Sequence, residues 1–285
     1  MSPTTTPMRP RRAGGRLALN IVAGALALVW IFPIYWMVNV SLQPNAQMRL
    51  DGPTWLPFSF TPDAYLGVLQ DSSFWTALQM SLQVSLLAVA VALCSATLAA
   101  VALSRFRFRS RTAIVVTVLI VQMIPAEALF ISQFRMLSNW GLVNTALGLS
   151  LLYVGTVMPF IVWMLKGFVD GVPVDLEEAA MIDGCTKVGA FFRVTFPLLG
   201  PGLVATGVFG FLVSWNEFTL ALVILSSGGR VTLPVWLQGF QEGMTGTDWA
   251  GVMAGSALIA VPVLILFCLV QRRMASGMVA GAVKG

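Results

Sequence analysis

The stretch DLEEAAMIDGCTKVGAFFRVTFPLLGPG, which runs from Asp175 to Gly202, interrupts a chain that is otherwise strongly apolar. Its first nine positions hold four of the chain's twelve acidic residues, namely Asp175, Glu177, Glu178 and Asp183. Carboxylates are rarely buried unless they are paired. This local concentration of charge therefore predicts a segment that lies in water, between apolar segments that do not.

The composition places the rest of the chain in a lipid bilayer. Of the 285 residues, 57% are hydrophobic and 10% are charged, whereas soluble domains carry about 25% charged residues. A membrane span needs about 20 consecutive, mostly apolar residues. Six such stretches occur, at about 17–40, 75–103, 112–134, 148–165, 199–225 and 250–270. We therefore expect an all-α membrane protein with six transmembrane helices.

The distribution of Lys and Arg predicts the orientation of these spans. If both termini lie in the cytoplasm, only Arg49, Arg135 and Arg230 of the 17 basic residues lie outside. Short cytoplasmic loops rich in Lys and Arg are what fixes orientation in a membrane. The pI near 9.6 therefore reflects topology, and nucleic acid is not an expected partner. The basic run SRFRFRSR, residues 104–111, is interpreted as a cytoplasmic anchor.

The six spans divide the chain into five predicted segments. These are a cytoplasmic N-terminal segment at 1–16, a first transmembrane helix at 17–40, an extracytoplasmic loop at 41–74, a core domain at 75–271 and a cytoplasmic tail at 272–285. The core domain holds five transmembrane helices. It also contains the cytoplasmic loop, at about 166–198, in which the acidic stretch lies.

The acidic stretch predicts a short helix. Asp175 and Glu178 have the spacing of a capping box, in which Asp175 is the N-cap and Glu178 reaches back to it. Gly184 is well placed for the left-handed turn that ends a helix, while Ala179 and Ala180 leave one side narrow enough for close approach. Because a helix of about two turns is marginal in water, it needs a surface to lie on. The residues alone leave open whether that surface is the protein's own membrane face or a cytoplasmic partner.

The sequence excludes several kinds of chemistry. It contains no His, the commonest acid–base residue and metal ligand. Its three cysteines, Cys94, Cys185 and Cys268, have neither metal-site nor disulfide spacing. No GxxxxGK(S/T) phosphate loop occurs, so nucleotide must be handled by a partner. We expect neither catalytic residues nor metal ligands nor a cofactor in this chain, and no enzymatic activity.

Charged residues within the spans are the remaining candidates for a site that meets a solute. An intramembrane carboxylate is costly and usually faces protein or water, and Glu127 and Glu217 qualify. The run WNEF, residues 215–218, offers a stacking face, an amide and a carboxylate, which suit sugar rings and hydroxyls. Alternatively, Asn216 and Glu217 hold neighbouring helices together by hydrogen bonds. The candidate path residues are Gln122, Glu127, Trp215, Asn216, Glu217 and Phe218.

The spacing within the acidic loop resembles a known family. Glu178-Ala-Ala, three residues, Gly184, nine residues and then Val194-Thr-Phe-Pro197 is similar to the EAA loop, EAA-x3-G-x9-I-x-L-P, of permease subunits of bacterial ATP-binding cassette importers. Further stretches resemble the maltose-type carbohydrate branch of that family: ALSRFRFRSR, QMIPAEALF, MPFIVWMLKGF, SWNEFTLAL and GMVAGAVKG. The likeness extends from about residue 15 to the end of the chain.

This resemblance implies the type I importer permease architecture and a bacterial inner-membrane location with both termini in the cytoplasm. The loop would be a coupling helix docked on a separate ATPase, with Glu178 as acidic contact, Ala179 and Ala180 as close-packing face and Gly184 as turn. The coupling residues implied are Asp175, Glu178, Ala179, Ala180, Asp183, Gly184 and Pro197. The chain itself would form half of a translocation pore for a sugar or a related solute.

The resemblance also implies partners. They are a second permease subunit, two ATPase subunits that use ATP and Mg²⁺, an extracytoplasmic solute-binding protein, a sugar-like solute and membrane lipid. The first expectation for the pore is a heterodimer of two different permeases. Two other functions fit the composition. A stand-alone secondary carrier or channel would use Glu127 or Glu217 as an ion site, but it would leave the cytoplasmic helix unexplained. A membrane scaffold would transport nothing.

Overall fold

The computed structural model describes residues 13–46, 48, 52–56, 59–226, 229–241 and 247–282, with side chains only between 19 and 271. Residues 1–12 of the predicted N-terminal segment and 283–285 of the predicted tail lie outside the described residues. Within those ranges the chain is helical and forms no β-strand. The predicted all-α class is confirmed.

Before the acidic stretch, the described residues form the α-helices numbered α1 to α6. They are α1 (Ala13–Ser41), α2 (Asp63–Gln70), α3 (Ser72–Arg105), α4 (Arg111–Val121), α5 (Phe130–Asn139) and α6 (Ala146–Asp170), and a 3₁₀ turn, Ala126–Leu129, precedes α5. The described second half continues with α7 (Val174–Ile182), α8 (Lys187–Ala190), α9 (Phe196–Leu198), α10 (Gly200–Trp215), α11 (Thr219–Ile224), α12 (Leu233–Gln238) and α13 (Trp249–Ala282). A π-helical turn, Phe191–Thr195, joins α8 to α9.

Up to six of the described segments can cross a membrane. Four single helices are long and apolar enough: Leu19–Ser41, Ser72–Arg105, Ala146–Asp170 and Trp249–Gln271. Two bent pairs qualify when each is counted as one span: Arg111–Val121 with Ala126–Asn139, at 94°, and Lys187–Leu198 with Gly200–Trp215, at 66°. Each of the six predicted spans overlaps one of these segments, but two of them overlap bent pairs, and the second pair begins at Lys187, within the loop predicted to be cytoplasmic.

The third predicted span, 112–134, is wrong as a single helix. Helix α4 ends at Val121, and Pro125 is the N-cap of the following 3₁₀ turn. Proline has no backbone N–H, so the helical hydrogen bond from residue 125 back to Val121 cannot form. The chain turns by 94° at this point.

The fifth predicted span, 199–225, is also interrupted. Helix α10 ends at Trp215 and α11 begins at Thr219. The carboxylate of Glu217 accepts hydrogen bonds from two backbone N–H groups in the first turn of α11. These bonds start a new helix where the prediction continued the old one.

The chain falls into two compact units. The first comprises residues 1–68 and 243–258, and the second comprises residues 69–242 and 259–285. In the first unit, Val40, Met48 and Ala250 form a small buried cluster. The grouping crosses the predicted boundary between the loop at 41–74 and the core at 75–271, because Ala250 of the predicted core packs with Val40 and Met48.

Helices α3 and α6 form the centre of the second unit. Four alanines recur at every fourth position of α3 and are fully buried: Ala88, Ala92, Ala96 and Ala100. Val157, Ile161 and Leu165 of α6 are buried in the same part of the core. Small residues at this spacing allow two membrane helices to approach closely. The alanine face therefore explains why α3 and α6 pack along much of their length.

The loops predicted to be cytoplasmic meet at one end of this unit. Ser104 donates a 2.5 Å hydrogen bond to Asp170, and the ammonium group of Lys187 lies 4.7 Å from the ring centroid of Phe106. Ser81, near the other end of α3, accepts a 2.8 Å hydrogen bond from the backbone of residue 233. The loop after α3 and the loop after α6 therefore belong to the same side.

Candidate functional site

The acidic helix α7 begins before Asp175. Pro173 is its N-cap, with φ −57° and ψ 133°, and no side chain caps the first turn. The predicted capping box of Asp175 and Glu178 is therefore wrong, because Asp175 already lies inside the helix and not at its N-cap. In the first turn its negative charge still favours the helix, since the N-terminal end of the helix dipole is positive. Both carboxylates are exposed.

Gly184 ends α7, as predicted. Its φ of +92° is in the left-handed region that favours glycine. The N–H of Gly184 donates to the carbonyl of Met181 (3.1 Å), and that of Cys185 donates to the carbonyl of Ala180 (3.0 Å). These two bonds form a Schellman motif. Since one of them uses Ala180, the turn and the EAA segment form one structural unit.

The EAA segment presents a surface to solvent. Glu178 and Ala179 are exposed and Ala180 is half-buried. Ile182 is 86% exposed and Val174 is 47% exposed. Apolar side chains and carboxylates are thus both accessible on this short helix. The remaining predicted coupling residues, Asp183, Gly184 and Pro197, are exposed as well.

Glu177, next to the EAA segment, is buried. Its Oε1 atom lies 2.8 Å from Nε of Arg105 and accepts a 2.6 Å hydrogen bond from the hydroxyl of Thr195. Arg105 also donates a 2.9 Å hydrogen bond to the carbonyl of Val172. One carboxylate therefore joins the end of α3, the first turn of α7 and the π-helical turn.

Sequence reasoning missed this ion pair. It assigned Arg105 to a cytoplasmic anchor and gave Glu177 no role, whereas Arg105 makes a specific buried contact. The two residues are 72 positions apart, so no periodicity connects them. The available signal was positional: Arg105 directly follows an apolar span, and Glu177 directly precedes the EAA residues.

A second constellation lies where α10 ends and α11 begins. Oε2 of Glu217 accepts hydrogen bonds from the hydroxyl of Tyr153 (2.8 Å) and the N–H of Ala221 (3.1 Å), and Oε1 accepts one from the N–H of Leu220 (2.7 Å). Tyr153 belongs to α6 and is 1% exposed. The carboxylate therefore caps α11 and ties it to a neighbouring helix. This is the interhelical role that the sequence left open for Glu217.

The other residues of the WNEF run have different surroundings. Trp215 is 1% exposed and stacks on Phe211 with ring centroids 5.2 Å apart, so neither ring face is open to a solute. Asn216 is exposed, and its amide donates to the carbonyl of Leu212 (2.8 Å). Phe218 is half-buried. Of these three side chains, that of Asn216 is the most accessible.

Gln122 and Glu127 lie on the other interrupted span. Gln122 is the C-cap of α4, and Glu127 lies in the 3₁₀ turn that follows. Both are exposed. The hydrogen bonds of Glu217 go to α6 and α11, so these bonds do not include Gln122 or Glu127.

Comparison with known proteins assigns the chain to a family. Residues 92–279, more than half of the chain, match the family described as binding-protein-dependent transport system inner membrane component. The chain belongs to this family. It is therefore a multi-pass inner-membrane component of a transport system, and the family is one of transport permeases, not of enzymes. The matched range contains both constellations described above.

Relatives of this permease match it over almost its whole length. The diacetylchitobiose uptake system permease protein DasC of Streptomyces coelicolor is 40% identical over 271 residues, which cover 95% of this chain and 98% of DasC. The sulfoquinovosyl glycerol transport system permease protein SmoH of Agrobacterium fabrum is 35% identical over 94% of each chain. The trehalose/maltose transport system permease protein MalG of Thermococcus litoralis is 32% identical over 95% of this chain and 97% of MalG.

The fold of this permease is also similar to that of solved transporters. A chain from the crystal structure of a bacterial ABC transporter involved in the import of the acidic polysaccharide alginate has a TM-score of 0.78 and 23% identity, and covers 94% of this chain and 99% of that chain. A chain from the alginate transporter in complex with its alginate pentasaccharide-bound periplasmic protein has a TM-score of 0.64 and 16% identity, covering 91% and 96%. At these identities the likeness shows the fold.

These findings establish the class of function. The chain is the permease subunit of an ABC importer, and the predicted family resemblance is confirmed. The alternative of a stand-alone carrier with Glu127 or Glu217 as ion site is not supported by the family. In this permease the carboxylate of Glu217 instead caps a helix.

Proposed function

We propose that this permease forms half of the translocation pathway for a sugar or a closely related solute, in a pore completed by a second, different permease subunit. The relatives are named for diacetylchitobiose, sulfoquinovosyl glycerol and trehalose or maltose, which all contain sugar rings. An extracytoplasmic binding protein delivers the solute, and both termini of this chain lie in the cytoplasm. Two ATPase subunits use ATP and Mg²⁺ to drive import, while this chain holds no cofactor and catalyses no reaction.

Helix α7 is the proposed docking site for one ATPase subunit. The observation that carries this proposal is the exposure of most of α7 beside a single buried anchor. Glu178, Ala179 and Ile182 are exposed, whereas Glu177 is buried against the rest of the permease. Leaving apolar surface in water costs about 25 cal/mol per Å², so a partner surface over Ile182 stabilises the assembly.

Each predicted coupling residue has a role in this proposal. Ala179 and Ala180 allow the ATPase surface to approach the helix backbone. The acidic residues Asp175, Glu178 and Asp183 complement basic groups on the partner, which increases the specificity and the rate of association. Gly184 holds the turn that orients α7, and Pro197 lies in α9 where the chain returns toward the membrane.

The proposed solute path passes two helix interruptions, one between α4 and the 3₁₀ turn and one between α10 and α11. Asn216 is the member with an exposed amide and meets the solute hydroxyls. Trp215, Glu217 and Phe218 shape the break from within the protein. Gln122 and Glu127 supply polar groups from the other break. Non-helical backbone at membrane depth is tolerated where it is buried in protein or lines a water-filled cavity.

Co-purification tests the docking proposal. The tagged chain is extracted gently from its native membrane as wild type and as the double variant Glu178→Ala/Gly184→Ala. We expect a nucleotide-binding subunit and a second permease with the wild type, and selective loss of the ATPase from the variant. The φ of +92° at Gly184 makes alanine strained there. Gly167→Ala is the control, because a methyl group at Gly167 meets no atom within 4 Å outside the adjacent part of its own helix.

Two outcomes of this experiment contradict the proposal. If the double variant retains the ATPase at the wild-type level, α7 is not the docking site. If the wild-type chain is recovered without an ATPase or a second permease, the proposed importer assembly is contradicted as well.

The solute class is tested separately, by uptake of labelled di- and oligosaccharides in cells with and without this chain. Equal uptake of every sugar in both strains would contradict the proposal that this chain transports a sugar.

A further inference from the structure

The ion pair between Arg105 and Glu177 connects α7 to the membrane helices. We infer that this pair, together with Thr195, transmits the movement of α7 to α3 and to the segment that enters α10. Arg105 and Glu177 are thus positioning residues for coupling. This inference rests on the proposed docking of α7 on the ATPase, and it adds the route by which that contact reaches the membrane.

Glu177 is the buried attachment point of α7. Among the nine residues of this helix, Val174–Ile182, all of which the structure describes, Glu177 is the one that is buried. Only 8% of the Arg105 side chain and 11% of the Glu177 side chain are accessible. The neighbouring Glu178 is exposed. Among the side chains of α7, the Glu177 carboxylate therefore makes the buried contact through which a force on the exposed residues reaches α3 and the π-helical turn.

The charges suit their positions on the two helices. Arg105 is the last residue of α3, where the helix dipole is negative, and Glu177 lies in the first turn of α7, where the dipole is positive. A buried ion pair is stable only while both partners are present, because removal of one leaves an uncompensated charge. A substitution at either Arg105 or Glu177 alone therefore disrupts the contact between α3 and α7.

Thr195 extends the contact toward the fifth span. It is fully buried, and its hydroxyl donates to the same Oε1 atom of Glu177 that binds Arg105. Thr195 ends the π-helical turn Phe191–Thr195, which leads through α9 into α10. π-Helical turns occur frequently at functional sites. A displacement of Glu177 must either break this hydrogen bond or move the start of α10.

Arg105 also contacts the entry to α7. Its guanidinium donates to the carbonyl of Val172, in the linker between α6 and α7. The planar guanidinium has donors in a fixed arrangement, which a lysine ammonium group does not reproduce. Arg105 thus binds two points on the acidic loop at once. This geometry makes α7 and the cytoplasmic end of α3 move as one body.

The test uses the complete transporter, reconstituted in liposomes with its binding protein. The readout is the ratio of solute molecules imported to ATP molecules hydrolysed. Loss of folded protein lowers import and hydrolysis together and leaves this ratio unchanged, so the ratio separates coupling from folding. Glu177→Gln leaves the Arg105 charge without a counter-charge. We expect this variant to retain its ATPase subunits while the ratio falls about tenfold.

Milder variants give an independent measurement. Thr195→Val removes the hydroxyl while the side chain stays similar in size. We expect the ratio of import to ATP hydrolysis to fall about threefold. Thr97→Val is the matched control, because Thr97 is also buried but its hydroxyl bonds only within α3, to the carbonyl of Leu93. Arg105→Lys retains the positive charge, so we expect a higher ratio than in Arg105→Gln.

The outcomes separate this inference from the docking proposal. If Glu177→Gln retains its ATPase and has the wild-type ratio, the inference is overturned and docking stands. If the wild-type chain does not recruit an ATPase, both are overturned. Should Glu177→Gln fail to fold, a ratio in Thr195→Val equal to that in Thr97→Val would overturn the inference.

Discussion

The hydroxyl of Tyr153 donates a 2.8 Å hydrogen bond to Oε2 of Glu217 at the point where α10 ends and α11 begins. The same carboxylate accepts two backbone N–H groups from the first turn of α11. A carboxylate in a membrane segment is costly unless such partners satisfy it. The break in the fifth span is therefore a built feature, held by an acid that the core helix α6 fixes in place.

Removal of this contact lowers the stability of the permease. We expect Tyr153→Phe to cost about 1 kcal/mol, which is typical of one hydrogen bond. Glu217→Gln costs about 2 kcal/mol, because one acceptor oxygen cannot serve all three donors. Unfolding of both single variants and of the double variant in detergent measures the coupling energy, which we expect to be about 1 kcal/mol. Additive effects would show that the two side chains act independently.

Two glycines of α6 differ in the space around them. A Cβ atom at Gly148 would overlap the carbonyl oxygen of Leu142 and lie 3.1 Å from its carbonyl carbon. Because these are backbone atoms, the overlap cannot be relieved by a side-chain rotation. We expect Gly148→Ala to lower the free energy of unfolding by about 1–3 kcal/mol.

Gly155→Ala is the matched control in the same helix, since no atom outside the adjacent part of that helix lies within 4 Å of a methyl group there. We expect it to be neutral or to stabilise by up to about 1 kcal/mol, because alanine is the better helix former. Thermal unfolding of the two variants side by side checks both values. Equal stability would show that α6 and the chain before it separate more easily than the structure indicates.

The spans were predictable because hydropathy reports the length of an apolar segment. Their interruptions were not, since the same measure does not register where a helix stops and restarts. Pro125 and Glu217 were visible in the sequence, but each is compatible with a continuous membrane helix when neighbouring groups satisfy the backbone. Whether a helix continues depends on tertiary partners such as Tyr153, which lies 64 positions from Glu217.

The acidic loop shows the same limit. Gly184 could be predicted because a left-handed turn depends on local chemistry alone. The N-cap could not, because an aspartate is favourable both at the cap and inside the first turn. The partnership of Glu177 with Arg105 required the fold, since it joins the ends of α3 and α7. A motif thus predicts which residues face outward more readily than which residue holds the motif in place.

Acid weakens the cap of α3. Oδ1 of Asp71 accepts the N–H of Ser73 at 2.8 Å, and Oδ2 accepts its hydroxyl at 2.5 Å. The hydroxyl of Ser73 lowers the pKa of Asp71 from 3.8, partial burial opposes this, and the Ser73 and Trp236 N–H groups lower it further. The pKa of Asp71 is lower in the folded protein than in the unfolded chain. The ionised Asp71 therefore stabilises the fold fully at a pH above the unfolded-state pKa, and this stabilisation is lost as the pH falls through the folded-state pKa.

We therefore expect the wild-type permease to lose stability below about pH 4 partly through Asp71. Asp71→Asn retains a good N-cap acceptor but does not titrate, so its unfolding midpoint should fall less between pH 7 and pH 3. Measurement of both proteins in the same detergent gives the difference directly, and the shared background of other carboxylates cancels. Parallel pH profiles would show that the cap does not depend on the charge of Asp71.

The orientation of the permease can be tested at two exposed serines. Ser110 is the N-cap of α4 without a side-chain cap bond, and Ser226 follows α11. The basic residues around Ser110 predict, by the positive-inside rule, that it lies in the cytoplasm. Single cysteines are introduced at these positions in a background that lacks the native thiols, Cys94, Cys185 and Cys268. In right-side-out vesicles, we expect a membrane-impermeant maleimide to label Ser226→Cys but not Ser110→Cys. In inverted vesicles we expect the reverse, and after lysis we expect both variants to be labelled. Labelling of Ser110→Cys from outside would invert the topology, and α7 would then lie on the side of the membrane that has no ATP.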